Sequence, residues 1–511
     1  MEIVKRQATV LSTATTAQIR PGRRVSLSGP FARAHPGCNK FGALRSHRAS
    51  CAILHLLSAT LLLFCGASVT KGAVVTAASA SLTDVAAAIT KAVAGDTVAI
   101  PAGTSTWASN LTINKAITLM GAGIDVTTII DNIPKVAGTQ MSPIVFNTTT
   151  GTYPRATGFT IRGLAQDTNK CNKAELAMFG SCKTFRIDHV KFDKPGTLCI
   201  QIMGDLWGVI DHCVFNTPNF KQDVQIYHPS WGGSGNYGDG SFNEGLYYGT
   251  EKAVYIEDCT AIGSGMAGAG VTDATYGGRF VVRHCTITND NIGTHGTETS
   301  RIRGVRSYEI YQNTMTQGSI STYPMMFCAV YLRGGSGVIW GNSWNGVGGE
   351  TGYKSGIVMS VYRANGQYGS PWMVCNGSAP FDGNTTSAGY PAIDQVGRGT
   401  CADALTGTTS NDTTGASTVD AKTLTKTWPH QASEPVYYWS NNWVPITNNA
   451  GTLAGADDTA SRNLIQAGRE YVDLGTTPLA GYTPYTYPHP LTTRSDTTLA
   501  PPTNLQIQAG P

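Results

Sequence analysis

Ile187-Asp188-His189-Val190, Ile210-Asp211-His212-Cys213, Ile256-Glu257-Asp258-Cys259, Val282-Arg283-His284-Cys285, Ile310-Tyr311-Gln312-Asn313 and Ile339-Trp340-Gly341-Asn342 are versions of one phrase. An aliphatic anchor is followed by two further residues and then, in all but the first, by Cys or Asn. The anchors stand 23, 46, 26, 28 and 29 residues apart, and the 46 reads as two steps of 23. Self-similarity at such a period marks a solenoid. The pieces between the anchors are short alternating runs rich in Val, Ile, Tyr and Phe, punctuated by Gly and Asn, so the repeat is a β coil. The expected fold is all-β: a single-stranded right-handed parallel β-helix with an N-terminal capping helix and long side loops.

Stacked coils lie about 4.8 Å apart, so equivalent turn positions fall above one another. Cys213, Cys259, Cys285, Asn313 and Asn342 are therefore expected to form an internal column. Asn suits it by tolerating left-handed backbone and bonding to neighbouring main chain, and a buried Cys is a small apolar substitute.

Composition agrees with this scaffold: 511 residues, 14% charged, 59 glycines. The formal charge of +4 is concentrated at the start, where residues 1–50 carry +8 and Lys71 one more, leaving −5 on residues 73–511. The body has no basic stripe, which excludes a nucleic-acid partner of the usual kind. Arg45 and Arg48 precede the apolar run Cys51 to Phe64 and the small residues Gly66-Ala67-Ser68 and Gly72-Ala73. Residues 51–73 thus read as an export signal whose apolar run, Cys51 to Phe64, is at 14 residues too short to span a bilayer comfortably, and the protein is expected to be secreted, monomeric and free of the membrane. Residues 1–50 read as a basic leader or as sequence ahead of a later start at Val25 or Leu44.

Ser81-Leu82-Thr83-Asp84 opens an amphipathic helix with Leu82, Val85, Ala86, Ile89 and Val93 on one face, the plug expected over the open end of a β-helix. The β-helix is expected over 76–365 and again over 433–490. Residues 366–432, rich in Thr, Ser, Asn and Gly, read as loops. Residues 491–511 read as a linker resembling the start of a fibronectin type III module. In an oxidising compartment Cys171 with Cys182, and Cys375 with Cys401, are candidate disulfides stapling irregular stretches.

The run Ser81 to Gly123, with GDTVAIPAGT and TWASNLTINKAITLMGAG, resembles the cap and first coils of secreted pectate-lyase-like right-handed β-helix proteins, as do GTEKAVYIEDCTAI, GGRFVVRHCTI and EPVYYWSNNW. The resemblance covers roughly residues 76–490. It implies the fold, and an activity somewhere among the lyases, hydrolases, esterases, epimerases and adhesins of that superfamily. Thr294-His295-Gly296 with Arg301-Ile302-Arg303 resembles the Gly-His-Gly and Arg-Ile-Lys segments of polygalacturonases. The two segments stand too close together, however, and Val271-Thr272-Asp273 and Asn289-Asp290-Asn291 do not match that family's acidic motifs. No catalytic assignment is carried over.

Two places suggest function. The excursion between Asn216 and Thr250 holds Tyr227, His228, Trp231, Tyr237, Tyr247 and Tyr248, which either stack on sugar rings or pin the loop to the barrel. The segment Glu251 to Glu309 is the densest polar cluster, with Glu251, Arg279, His295, Glu298 and Arg303 as the catalytic candidates. Two carboxylates one coil apart would match the spacing of about 5 Å used by retaining glycosidases. A uronate lyase would instead need arginine to hold the sugar carboxylate and a base such as His295 to take the C5 proton. No cofactor is required by the sequence; Ca2+ held by acidic oxygens is left open. The expectation is a polysaccharide-depolymerising enzyme, with elimination favoured over hydrolysis, or a polysaccharide-binding adhesin on the same scaffold.

Overall fold

The computed structural model describes residues 72–494 apart from 137–141, 165–173, 219–221, 234–236, 264–269, 299–300, 318–324, 347–351, 362–391, 401–430, 444–453, 457–461 and 463. The strands form a parallel β-helix: a 20-stranded sheet, folded along a line of turns into two faces, and a 10-stranded sheet that makes the third. One coil runs through Val254–Glu257, Thr260–Ile262 and Gly270–Thr275, and the next through Arg279–Arg283, Thr286–Thr288 and Ile292–Thr294. Each strand pairs in parallel with its counterpart one coil on, as in Ile256 with Val282 and Ala261 with Ile287.

The anchors pair as the repeat requires: Ile187 with Ile210, Ile210 with Ile256, Val282 with Ile310, and Ile310 with Ile339. Ile210 pairs directly with Ile256, so the 46-residue step is one coil enlarged by the excursion, not two coils of 23. The internal column exists and continues one coil further. Cys285 N donates to Asn313 Oδ1 at 3.0 Å, Asn313 Nδ2 to Asn342 Oδ1 at 2.9 Å, and Asn342 Nδ2 to Asn441 Oδ1 at 2.9 Å. The left-handed residue is the one before it: Gly158, His189, His212, Asp258, His284, Gln312, Gly341 and Ser440 all have φ between 50° and 75°. The column residue itself ties coil to coil.

Helix α1 (Leu82–Lys91) closes the N-terminal end, burying Val85, Ala88 and Ile89. Ser81 Oγ accepts from Asp84 N at 3.2 Å, and Trp107 Nε1 donates to Ala80 O at 3.1 Å from the coil beneath. Val93 lies beyond the helix end and is 64% exposed, so it is not part of the buried face. No helix among the described residues is long and apolar enough to cross a membrane.

Val436–Trp439, Asn442–Trp443 and Tyr471–Asp473 extend the 20-stranded sheet. Residues 482–492 do something the repeat does not announce: they run back along the first face as a strap. Tyr482 OH donates to Glu309 Oε2 at 2.6 Å. Arg283 donates to the carbonyls of Tyr485 and Thr486 at 2.8 and 2.9 Å, His489 N to Glu257 Oε1 at 2.9 Å, and Arg186 to Thr492 O at 3.1 Å. The polar side chains of Glu257, Arg283 and Glu309 on this face are therefore covered by the chain's own C-terminal segment.

Cys182 is a free buried thiol, with Sγ 3.0 Å from Thr152 O, instead of a disulfide partner. Cys171, Cys375, Cys401, the leader and signal regions, most of 366–432 and residues 495–511 lie outside the described residues.

Candidate active site on the third sheet

Alternation decides which side chains face outward. In Gly270–Thr275, Ala274 joins the core beside Ile226 while Asp273, of opposite parity, faces away from it. Along the sheet Asp273 pairs with Gln225, and Gln225 with Gln201. Their side chains form a relay: Gln201 Nε2 donates to Gln225 Oε1 at 2.5 Å, and Gln225 Nε2 to Asp273 Oδ2 at 3.3 Å. Tyr227, two residues along from Gln225, donates its hydroxyl to the same oxygen at 3.3 Å.

His295 follows the strand Ile292–Thr294, and its N donates to Ala274 O at 2.9 Å, which sets the ring beside Asp273. His295 Nδ1 contacts Asp273 Oδ1, and Nε2 lies 3.4 Å from Glu298 Oε1. Arg333, one coil on, bonds Glu298 Oε1 at 2.7 Å and is held by Thr294 O at 2.7 Å. Arg301 Nη2 stands 3.7 Å from Asp273 Oδ2. The ring of Tyr276 meets Tyr227 edge-on at 5.5 Å, with Tyr237 at 6.5 Å. Beyond Glu298 and Arg333 lies a small depression walled by Val361, Ile393 and Gln395.

Burial and charge set the protonation states. Burial alone would raise the Asp273 carboxyl, but His295, Arg301 and Arg333 outweigh it and hold the group below the usual carboxylate range. Burial, then the Arg333 charge, pushes His295 down to about 3, so the imidazole is neutral. With Nδ1–H directed at Asp273, the lone pair sits on Nε2. Burial keeps the Tyr227 and Tyr276 phenols protonated.

Of the residues expected from sequence, the structure gathers His295, Glu298, Tyr227 and Tyr237 here. The others are elsewhere. Arg279 is wholly buried and holds the excursion down, donating to Ser241 Oγ, Ser241 O, Gly245 O and Leu246 O at 2.6 to 2.9 Å. Burial, and then Arg306, lowers it to about 9. Arg303 is spent on Asp394 at 2.7 Å and on Asp239. Trp231 is buried between Trp207 and His228 with Nε1 on Glu244, and His228 accepts from Arg279 N at 3.2 Å. Tyr247 packs on Lys252 and Arg279, and Tyr248 on Tyr482. These rings pin the loop; fully buried His228 and Trp231 are not a sugar platform. Glu251 is exposed and apart from the cluster. Arg333 and Tyr276 were not singled out from sequence, since only coil stacking brings them beside residue 295.

No group of three or more His, Cys, Asp or Glu is arranged to hold a metal among the described residues. No protein-family model and no curated protein matches the chain. Among solved structures it is similar to a PL6-family polysaccharide lyase from Pseudopedobacter saltans, at 12% identity over 83% of this chain and 89% of that one, with a TM-score of 0.39. It is also similar to an alginate lyase from Paenibacillus sp., at 13% over 57% and 82% with a TM-score of 0.23. A third is the catalytic domain of a GH87 α-1,3-glucanase, at 12% over 81% and 69% with a TM-score of 0.32. Likeness at this level says nothing about chemistry, which rests on the cluster just described.

Proposed function

We propose that the chain is a secreted polysaccharide-depolymerising enzyme that cleaves a uronate-bearing polymer by β-elimination at the His295 cluster. One observation carries this: a neutral imidazole, backed by a carboxylate at Nδ1, stands between two guanidiniums. On binding, Arg301 and Arg333 exchange part of their pairing with Asp273 and Glu298 for the sugar carboxylate, which makes the C5 proton more acidic. His295 Nε2 takes that proton, the electron pair forms the C4–C5 double bond, and the C4–oxygen bond breaks. The leaving oxygen takes a proton from the site, and Tyr276, the more open phenol, is the assigned donor.

Hydrolysis is less well served. It needs one carboxyl kept protonated as general acid, whereas Asp273 is held ionised and Glu298 is ion-paired with Arg333. A second reading, a non-catalytic polysaccharide binder, draws on the enclosure of the site, with Asp273, His295 and Glu298 at 1%, 7% and 3% exposure. Incubation of the protein with plant, algal and bacterial polyuronates tests both. Elimination yields the near-ultraviolet absorbance of a carboxylate-conjugated double bond; new reducing ends without it mean hydrolysis; retention without either product means a binder.

A further inference from the structure

We infer that Asp223, Asp290 and Asn291 form an internal site for a divalent, oxygen-preferring cation of the Ca2+ class. The three residues belong to the outer two of three consecutive coils, where the second face turns into the third. Asp223 lies in Gln222–Tyr227, and Asp290 and Asn291 lead into Ile292–Thr294 two coils on. The coil between them carries Gly263 and Gly270 at this corner, followed by Val271, which packs into the core at the register position between Asp223 and Asn291. A Cβ on Gly263 would stand 2.7 Å from Asp290 Cγ, and one on Gly270 3.0 Å from Asn291 Oδ1. The side chains of Asp290 and Asn291 thus occupy the space that side chains at Gly263 and Gly270 would need.

All three residues are enclosed, at 0%, 0% and 4% exposure. Asp223 Oδ2, Asp290 Oδ2 and Asn291 Oδ1 are buried acceptors without a hydrogen-bond donor. The other oxygens are taken: Asp290 Oδ1 accepts from Asn291 N at 2.8 Å, and Asp223 Oδ1 faces Cys199 Sγ at 3.8 Å. A buried acceptor left unmatched costs about 1–3 kcal/mol, and more when charged, so three at one corner call for a partner. No described lysine or arginine acts on either carboxyl. A divalent cation would meet all three unmatched acceptors at once.

The donors select the ion. Two carboxylates and an amide oxygen are hard oxygen ligands, which suit Ca2+ and disfavour Zn2+ or Cu2+, and the Thr217 hydroxyl bonds Asp223 itself. The nearby thiol does not change this, because burial and then Asp223 keep Cys199 protonated. The site lies four residues upstream of Tyr227 and His295 on the same strands, about 13 Å at a rise of 3.3 Å per residue, and two residues, about 7 Å, before the register position of Gln225 and Asp273. It shares no residue with the candidate active site and stands whether or not that site is a lyase.

The test uses the full chain, stripped with EDTA and titrated with CaCl2 in a calorimeter, alongside thermal melts. Saturable binding with one ion per chain and a rise in Tm of about 2 °C or more are expected. In Asp223→Asn combined with Asp290→Asn the binding heat and the calcium-dependent rise should vanish, while Tm in EDTA stays at or above that of the parent. Absence of any calcium response in the parent protein overturns the site. So does a response of undiminished size in the double variant.

Discussion

His295 has a low proton affinity in the free protein, which at first sight makes it a poor base. Burial is the leading reason and Arg333 the next. A uronate that pairs with Arg333 cancels the second while leaving Asp273 behind the ring, so substrate binding makes the imidazole more basic. Two outcomes follow. Because the group is pushed down to about 3 in the free protein, kcat/KM should show no acid limb from its titration between about pH 5 and 8. The acid limb of kcat, which reports the bound state, should lie at higher pH than that of kcat/KM. Coincident limbs near pH 6.5 would show that Arg333 does not govern the base. His295→Ala should lower kcat by about 10²-fold or more, read as initial rate of double-bond formation. Arg279→Met differs in kind. It strips donors from Ser241, Gly245 and Leu246, so it should cost about 2–4 kcal/mol in a denaturant melt. Any loss of rate should follow the unfolded fraction.

The elements of this fold differ in how visible they are in sequence. The turn between the first two faces brings anchor, left-handed residue and column residue together within four positions, so each coil writes the whole device into a contiguous phrase. Asn313 shows what it does: Oδ1 takes Cys285 N, and Nδ2 serves both Val282 O and Asn342 Oδ1. Asn313→Ala should therefore cost about 1–3 kcal/mol by urea denaturation, because buried main-chain groups of two coils lose partners. A cost near zero would mean that the column is only filler. The active cluster has no such phrase. Asp273, His295 and Arg333 come from successive coils and meet only through register, and period-2 alternation makes Asp273 look like any outward strand residue. His295 was visible because it stands outside the repeat, whereas Arg279 and Arg303 misled because side-chain type cannot distinguish a guanidinium bound to substrate from one spent on carbonyls. The strap was hidden for a different reason: it is aperiodic and docks on acids some 170 to 230 residues earlier. Truncation after Leu479 should speed hydrogen exchange in the strands holding Glu257, Arg283 and Glu309 and lower Tm. Unchanged protection there would show that the strap is ornamental.

At the scale of the whole molecule, the buried carboxyls fall into two groups that pull stability in opposite directions with pH. Asp188 and Asp273 are held below the usual range: burial opposes this, but Arg155 and His189 outweigh it at the first, and His295 and Arg301 at the second. Their folded pKa values lie under the unfolded value of about 3.9. The stability they contribute is present above that pH and is lost as pH falls below it. Burial raises Glu309 and Asp290 to about 7, and Glu175 and Asp223 well above the ordinary range. For these the folded state holds protons that the unfolded chain has already released. Their effect has the opposite sign, and stability declines as pH climbs from about 4 through 7. The two slopes meet in mildly acid solution, so Tm in EDTA should peak near pH 4–5 and fall toward pH 8. Calcium sharpens the expectation, because an ion between Asp223 and Asp290 favours their charged forms and removes their share of the alkaline decline. Melts from pH 4 to 8 should therefore separate into a steeper curve in EDTA and a flatter one in CaCl2, with the gap widening as pH rises. A Tm that climbs steadily to pH 8 in EDTA would mean that these acids are solvated or paired, and the two curves would then have no reason to diverge.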